Sequence, residues 1–230
     1  MELKDKLEQL ADTLTSAEKA CLKLILANAV AESIDDADLS ADTIKAKAFR
    51  TSVVSISRLQ SHKDLIPENG IVFRGYPEFL TNETLTNLQK ESKDVRSQAI
   101  RFHDHFVVSN APVAKSFASS PELNNLLSER IGATEPTGKA NYIYYDEIGM
   151  GIEPHIDNED FSLNVIMMLN HEWSDQKSAL VLFPYDKPPV KMFLQPGELI
   201  AFFADSVIHS RERISKGEKV SIVAFGFRPV

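Results

Sequence analysis

Residues 139–146 read KANYIYYD, and from there to the C-terminus the sequence changes character. The run is rich in tyrosine, and aromatic and β-branched side chains suit a pleated, half-buried surface. Seven further short runs share that composition: GIEPHID (151–157), FSLNVIMMLN (161–170), SALVLFP (178–184), VKMFL (190–194), ELIAFFA (198–204), SVIHSRER (206–213) and KVSIVAFGF (219–227). Between them stand Gly149, Gly151, Asn158, Asp175, Pro188, Pro189, Pro196, Gly197 and Gly217, residues that break regular structure. Eight short strands with no helical stretch between them predict a double-sheet jelly roll or small barrel, which can hold one small ligand in its mouth.

Upstream the period is helical. TSAEKACLKLILANAVAES (15–33) opens on a capping box, Thr15 with Glu18, and sets Leu22, Ile25, Leu26, Ala29 and Val30 at helical spacing as a core stripe. DDADLSADTIKAKAF (35–49) restarts a helix after Ser40, and GIVF (70–73) is the first strand-like run. FLTNETLTNLQKES (79–92) leads into another helix, and a further one begins at Ser120, with Pro121 first and Gly132 as its stop. The expected architecture is α+β, with a helical segment over residues 1–66 packed on a β-rich core over 67–230. Those first helices could buttress the sheet, form a dimer face or act as a lid.

Composition narrows the function. At 230 residues the chain suits one sizeable core. A net charge of −8 and a pI near 5.3 disfavour nucleic acid and anionic membrane as partners. The single cysteine, Cys21, permits no internal disulfide, and MELKDKLEQL at the start is not a secretory leader. No apolar run approaches the ~20 residues needed to span a bilayer. A cytoplasmic protein is the expectation, and its oligomeric state is left open.

The chemistry centres on EPHIDNED (153–160). In a strand His155 and Asp157 point to the same side and can grip one object together. His209, in the seventh run, supplies a third donor, and two histidines with one carboxylate cover one face of an octahedral Fe(II), leaving positions open. The same pair also fits a plain strand end with a solvated acid. Lys219, ten residues beyond His209, offers a cation for the far carboxylate of a dicarboxylate co-substrate, and Ser221 points the same way with a hydroxyl.

At these residues a resemblance becomes specific. GMGIEPHID (149–157), QPGELIAF (195–202) and HSRERISKGEK (209–219) resemble the Fe(II)/2-oxoglutarate-dependent dioxygenases, in particular the prolyl 4-hydroxylase-like branch, over roughly residues 70 to 230. The resemblance implies a double-stranded β-helix core, iron held by His155, Asp157 and His209, and 2-oxoglutarate held by Lys219. It implies Fe(II), 2-oxoglutarate and O2 as reactants and admits ascorbate. Family members often carry a tyrosine nine residues before the first ligand; here that position is Asp146, and a shift of register assigns the role to Tyr144 or Tyr145. The glycine pair that usually opens the fourth strand is replaced by KSALVLF. An aspartate at 157, rather than a small residue, implies hydroxylation in place of halogenation.

Three functions follow. The first is hydroxylation of an unactivated C–H bond in a small molecule, such as a free amino acid or a biosynthetic intermediate. The second is hydroxylation of prolyl or other residues in a protein or peptide. The third is a non-catalytic, cupin-like metal-binding barrel in which Lys219 is a strand-edge lysine. Other residues have plain and pointed readings. His103 and His105 in FHDHF form a strand face near the pocket or a second metal pair. His171 is a loop residue, with Trp173 able to cover the barrel mouth. Arg211 and Arg213 pair with nearby acids, or one turns inward to take a substrate carboxylate. Asn158, Glu159 and Asp160 form a solvated turn or meet a substrate ammonium, and Met167 and Met168 belong to core and wall.

Overall fold

The computed structural model describes residues 3–31, 43–59, 63–175, 177–184 and 187–230. Three helices come first: α1 (Leu3–Thr13), α2 (Ser16–Ala31) and α3 (Ile44–Arg58). The box that opens α2 forms as its sequence predicts, with the Thr15 amide and hydroxyl donating to Glu18 at 2.8 and 2.7 Å. Helix α3 starts on Thr43, whose hydroxyl accepts from the Ala46 amide at 3.1 Å; Ser40 lies outside the described residues. Strand β1 (Ile71–Gly75) precedes α4 (Asn82–Val95), capped by Thr81. Next come β2 (Ile100–Phe102), β3 (His105–Ser109), α5 (Pro112–Ala118) and α6 (Pro121–Ile131), the last capped by Ser120 and stopped by Gly132 in the left-handed region.

All eight expected runs are strands: β4 (Thr134–Tyr145), β5 (Ile152–His155), β6 (Leu163–Glu172), β7 (Leu180–Phe183), β8 (Val190–Met192), β9 (Leu199–Phe202), β10 (Ile208–Arg211) and β11 (Lys219–Pro229). With β1, β2 and β3 they form two antiparallel sheets, one of seven strands in the order β1-β9-β6-β11-β4-β3-β2 and one of four in the order β5-β10-β7-β8. This is the predicted α+β double-stranded β-helix.

Strand alternation divides the apolar residues into three layers. Val220, Ile222 and Ala224 of β11 point between the sheets, with Tyr145, Ile166, Met168 and Phe202. Their neighbours Val223, Phe225 and Phe227 point outward under Leu88 of α4 and Leu123 and Leu127 of α6. A third layer lies on the outer face of the small sheet, where Val181, Phe183 and Ile208 are covered by Ala27 of α2 and by Phe49, Val53 and Ile56 of α3. Phe49 meets Phe183 edge to face, centroids 5.1 Å apart. The stripe expected on α2 is partly corrected: Ile25 is exposed, Leu26 and Ala27 face the sheet, and the side chains of Ala29 and Val30 lie outside the described set. One short apolar sheet accepts a narrower face than the five-residue stripe offers.

One end of the barrel is closed by a buried polar knot. Glu218 accepts from the Ser178 amide and hydroxyl and from His171 Nε2 at 2.6 to 2.7 Å, and from the Ser215 amide at 3.0 Å. Burial alone would raise its carboxyl, yet the bonds from Ser178, His171 and Ser215 hold it down at about 2.

Two outcomes follow from this packing. Phe49→Ala should cost about 3 to 5 kcal/mol in urea unfolding, because it opens a cavity under Phe183; an unchanged midpoint would mean that the first helices do not hold the small sheet. Glu218 has its folded-state pKa depressed, so its contribution is present above the ordinary glutamate range and lost as pH falls toward about 2. Glu218→Gln should therefore be less stable at neutral pH and show a shallower loss on acidification, and parallel acid profiles would refute the role given to the knot.

Candidate active site

Strands β5 and β10 lie side by side, and their register puts His209 directly opposite His155. Asp157 follows two residues after the end of β5, where its backbone amide donates to the Ala204 carbonyl at 2.8 Å and turns the side chain back toward the histidines. One donor atom from each of the three residues lies within 4.8 Å of the others. The imidazole rings are 4.2 Å apart between centroids, and Asp157 Oδ1 is 3.5 Å from His155 Nε2 and 3.7 Å from His209 Nε2.

Hydrogen bonds fix which atom of each residue faces the centre. Nδ1 of His155 donates to the Glu153 carbonyl at 2.8 Å, and Nδ1 of His209 donates to the Val207 carbonyl at 3.1 Å, so each neutral ring turns the lone pair of Nε2 inward. Asn164 of β6 donates its amide to Asp157 Oδ2 at 2.7 Å, which leaves Oδ1 for the centre. Phe202 sets its ring edge to face against His209 at 4.8 Å. Burial, then the charge of His155, pushes the His209 ring down to about 4. Burial would raise the Asp157 carboxyl, but His209, His155 and Asn164 outweigh it and hold it below the usual range. Burial also lowers His155, and the hydrogen bond and charge of Asp157 reverse that. The cluster thus draws one positive charge, and its donors suit a divalent metal of borderline softness.

Lys219, Ser221 and Tyr144 are not brought to this centre. They lie on the outer face of the large sheet, in a groove beside α4 that also contains Lys93, Arg96 and Glu172. The cause is strand parity: Val220 and Ile222 occupy the inward positions of β11, so residues 219 and 221 must face out. Lys219 is exposed, and Tyr144 donates its hydroxyl to the Ser92 carbonyl of α4 at 2.7 Å. Tyr145, one residue on, is the tyrosine that faces inward.

The cation that does face inward is Arg211. It follows His209 by two residues on β10, shares its side of the strand and is 6% exposed. Its Nη2 donates to the Ser178 hydroxyl at 2.8 Å and carbonyl at 3.2 Å, its guanidinium lies 5.7 Å from the centre of the Tyr145 ring, and its Nε is buried without a partner. Of the two arginines expected to pair with acids or to turn one inward, Arg211 is the one that turns inward.

The remaining candidates sort simply. FHDHF is a hairpin, not one strand: His103 takes a φ of 52° at the turn, while His105 points in against Tyr145 at 5.8 Å with Nδ1 unpartnered. His171 is a buried strand residue bonded to Glu218, not part of a loop, and Trp173 beside it is half exposed. Arg213 takes the plain reading and pairs with Asp104 and Glu153 at the rim. Asn158 accepts from the Asp160 amide and Asp160 lies 3.5 Å from Lys139, so NED is a turn. Thr137 binds the Asp160 carbonyl at 2.8 Å, and a Cβ at Gly226 would strike that same oxygen, so the turn after Asp157 is seated on β4 and β11. Met168 lines the barrel interior and Met167 the outer core.

No protein-family model matches the sequence, and no curated protein is detectably similar to it. Solved structures are. The α-ketoglutarate-dependent non-heme epimerase SnoN of nogalamycin biosynthesis superposes with a TM-score of 0.61 at 14% identity, over 76% of this chain and 83% of that one. A prolyl-4-hydroxylase from Pseudomonas putida superposes at 0.56 and 14% identity, over 77% of this chain and 99% of its own. HygX from Streptomyces hygroscopicus, solved with nickel, 2-oxoglutarate and hygromycin B, superposes at 0.56 and 10% identity, over 74% and 87%. The chain shares the fold of these proteins.

Proposed function

We propose that the protein is an Fe(II)/2-oxoglutarate-dependent oxygenase that hydroxylates an unactivated C–H bond of a small molecule, such as a free amino acid or a biosynthetic intermediate. The observation that carries this reading is the convergence of two imidazole Nε2 atoms and one carboxylate oxygen within 4.8 Å, each with its other polar atom already hydrogen-bonded. Fixed outer-shell partners of this kind are what metal-ligating residues use. His155, Asp157 and His209 would hold the iron. With 2-oxoglutarate and O2, that iron supplies oxidation of a C–H bond with release of succinate and CO2.

The residues of the chain define the surroundings of that chemistry. Both Nδ1 atoms are committed to carbonyls, so in the neutral tautomer each ring offers the lone pair of Nε2 to the centre. Asp157 contributes negative charge from one oxygen, its second held by Asn164. Phe202 and Met168 line the wall with apolar surface, which excludes water from the inner side of His209. On the open side, His155 meets the β2–β3 hairpin, and that hairpin is fastened. Arg101 pairs with Glu147, Arg213 joins Asp104 to Glu153, and the Gly151 amide donates to the Asp104 carbonyl at 3.1 Å. A fastened rim favours a compact substrate over an extended peptide, which needs an open groove. Among the structural relatives, HygX was solved with such a compact ligand.

The test is spectroscopic. Anaerobic addition of Fe(II) and 2-oxoglutarate should produce a weak visible charge-transfer band, and stoichiometric iron binding without that band would support the cupin-like barrel instead. Asp157→Ala and His209→Ala should each abolish the band and succinate formation. Asn164→Ala, which frees one oxygen of the ligand carboxylate, should weaken Ni(II) affinity by about 10- to 100-fold in calorimetry with the fold intact; an unaltered affinity would remove Asn164 from the site.

A further inference from the structure

Lys219 faces outward and cannot reach the barrel interior, so a dicarboxylate bound beside the metal needs another cation. We propose that Arg211 anchors the distal carboxylate of 2-oxoglutarate from β10, the strand that also carries His209. The inference rests on the oxygenase reading and adds a residue to it.

Position comes first. Arg211 and His209 lie on the same side of β10, about 7 Å apart along the strand at its usual rise. That separation suits a short dicarboxylate with one end at the metal and the other at the guanidinium. Tyr145, whose ring lies 5.7 Å from the guanidinium, is paired in register with Val220 of β11, and Val220 in turn with His171 of β6. The arginine thus crosses from the small sheet into a place where the large sheet presents an apolar residue.

Charge and hydrogen bonding point the same way. A buried guanidinium is costly unless it is paired and its donors are satisfied. Among the described residues no carboxylate lies within ion-pair distance of Arg211. Glu218 is the acid nearest in the network, but its Oε1 takes three hydrogen bonds from Ser178 and His171 while Oε2 takes those of Ser215. Ser178 stands between the two charges and occupies only Nη2 of the arginine. Nε is left buried without an acceptor. Lys177, one residue before Ser178, carries its ammonium over the half-exposed Trp173 ring at 4.4 Å, and burial and the charge of Arg211 push it below its ordinary range. A buried cation with an unpartnered donor beside the face of Tyr145 makes an anion site, and the planar fork of arginine matches a carboxylate.

The experiment compares Arg211→Met, Arg211→Lys and Lys219→Met, each loaded with Fe(II) under anaerobic conditions and titrated with 2-oxoglutarate while the charge-transfer band is followed. Ni(II) calorimetry on the same proteins reports the metal site separately. Arg211→Met should raise the apparent Kd for 2-oxoglutarate about 100-fold and leave Ni(II) affinity unchanged. It should also erase the preference of the wild type for 2-oxoglutarate over 2-oxobutyrate, which lacks the distal carboxylate. Arg211→Lys should recover part of both, and Lys219→Met should match the wild type. Unchanged 2-oxoglutarate affinity in Arg211→Met, or a loss confined to Lys219→Met, overturns the assignment. If Arg211→Met does not fold, Arg211→Gln, which keeps polar donors but not the charge, takes its place, and a wild-type preference between the two oxo acids in that variant overturns it equally. Failure of the oxygenase reading is a different result: no band in the wild type with iron bound.

Discussion

The register of β10 against β5 is the constraint on which the site depends. Because the two strands are antiparallel with His209 opposite His155, two imidazoles from distant parts of the chain meet at van der Waals range without any loop having to place them. A slip of β10 by one residue would send His209 to the outer face of the small sheet, where Val181 and Ile208 now pack under the first helices. That outer layer therefore has a role in the site: apolar burial on one face of the sheet fixes which side chains appear on the other.

The interior so created is unusual for a protein core. Five side-chain atoms are buried without partners among the described residues: Ser55 Oγ lies on α3, and Asn164 Oδ1, His105 Nδ1, His171 Nδ1 and Arg211 Nε belong to strand residues that face the space between the sheets. Buried polar atoms are normally paired, since an unmet donor or acceptor costs about 1 to 3 kcal/mol. The grouping of four of them between the sheets, while the outer helix-covered layer of the large sheet is apolar, leaves this interior with unmet polar capacity. Arg211 also sets a buried positive charge there, within a chain that is acidic overall.

His209 was joined to the site through the family resemblance of its own stretch, but the strands and the His155–Asp157 pair were legible in the sequence because both are local patterns: alternation over a few residues, and a spacing of two. The N-caps at Thr15 and Ser120 were legible for the same reason. What failed depended on context. Lys219 satisfied a spacing from His209 counted along the chain, but inward facing is decided by the pleat, and Val220 and Ile222 had the stronger claim to the interior. Tyr144 and Tyr145 could not be separated without the register that sets Tyr145 beside Val220. FHDHF looked like a strand because nothing local predicts a histidine at positive φ; Asp104, tied to Gly151 and Arg213, holds the turn.

Placing the anchor on β10 has a mechanical consequence. With the cation on β11, the metal and the distal carboxylate would be held by different sheets, and any relative shift of the sheets would stretch the co-substrate. With Arg211 as anchor, one strand carries both His209 and the guanidinium, and β7 braces that strand from Leu180 to Phe183 while Ser178, just before β7, holds the arginine. The co-substrate is then referred to a single rigid element, and the large sheet is free to contribute apolar wall from Val220 and Ile166 without bearing charge. Specificity for a dicarboxylate and geometry at the metal become one property of β10, set by the same pleat that brings His209 to His155.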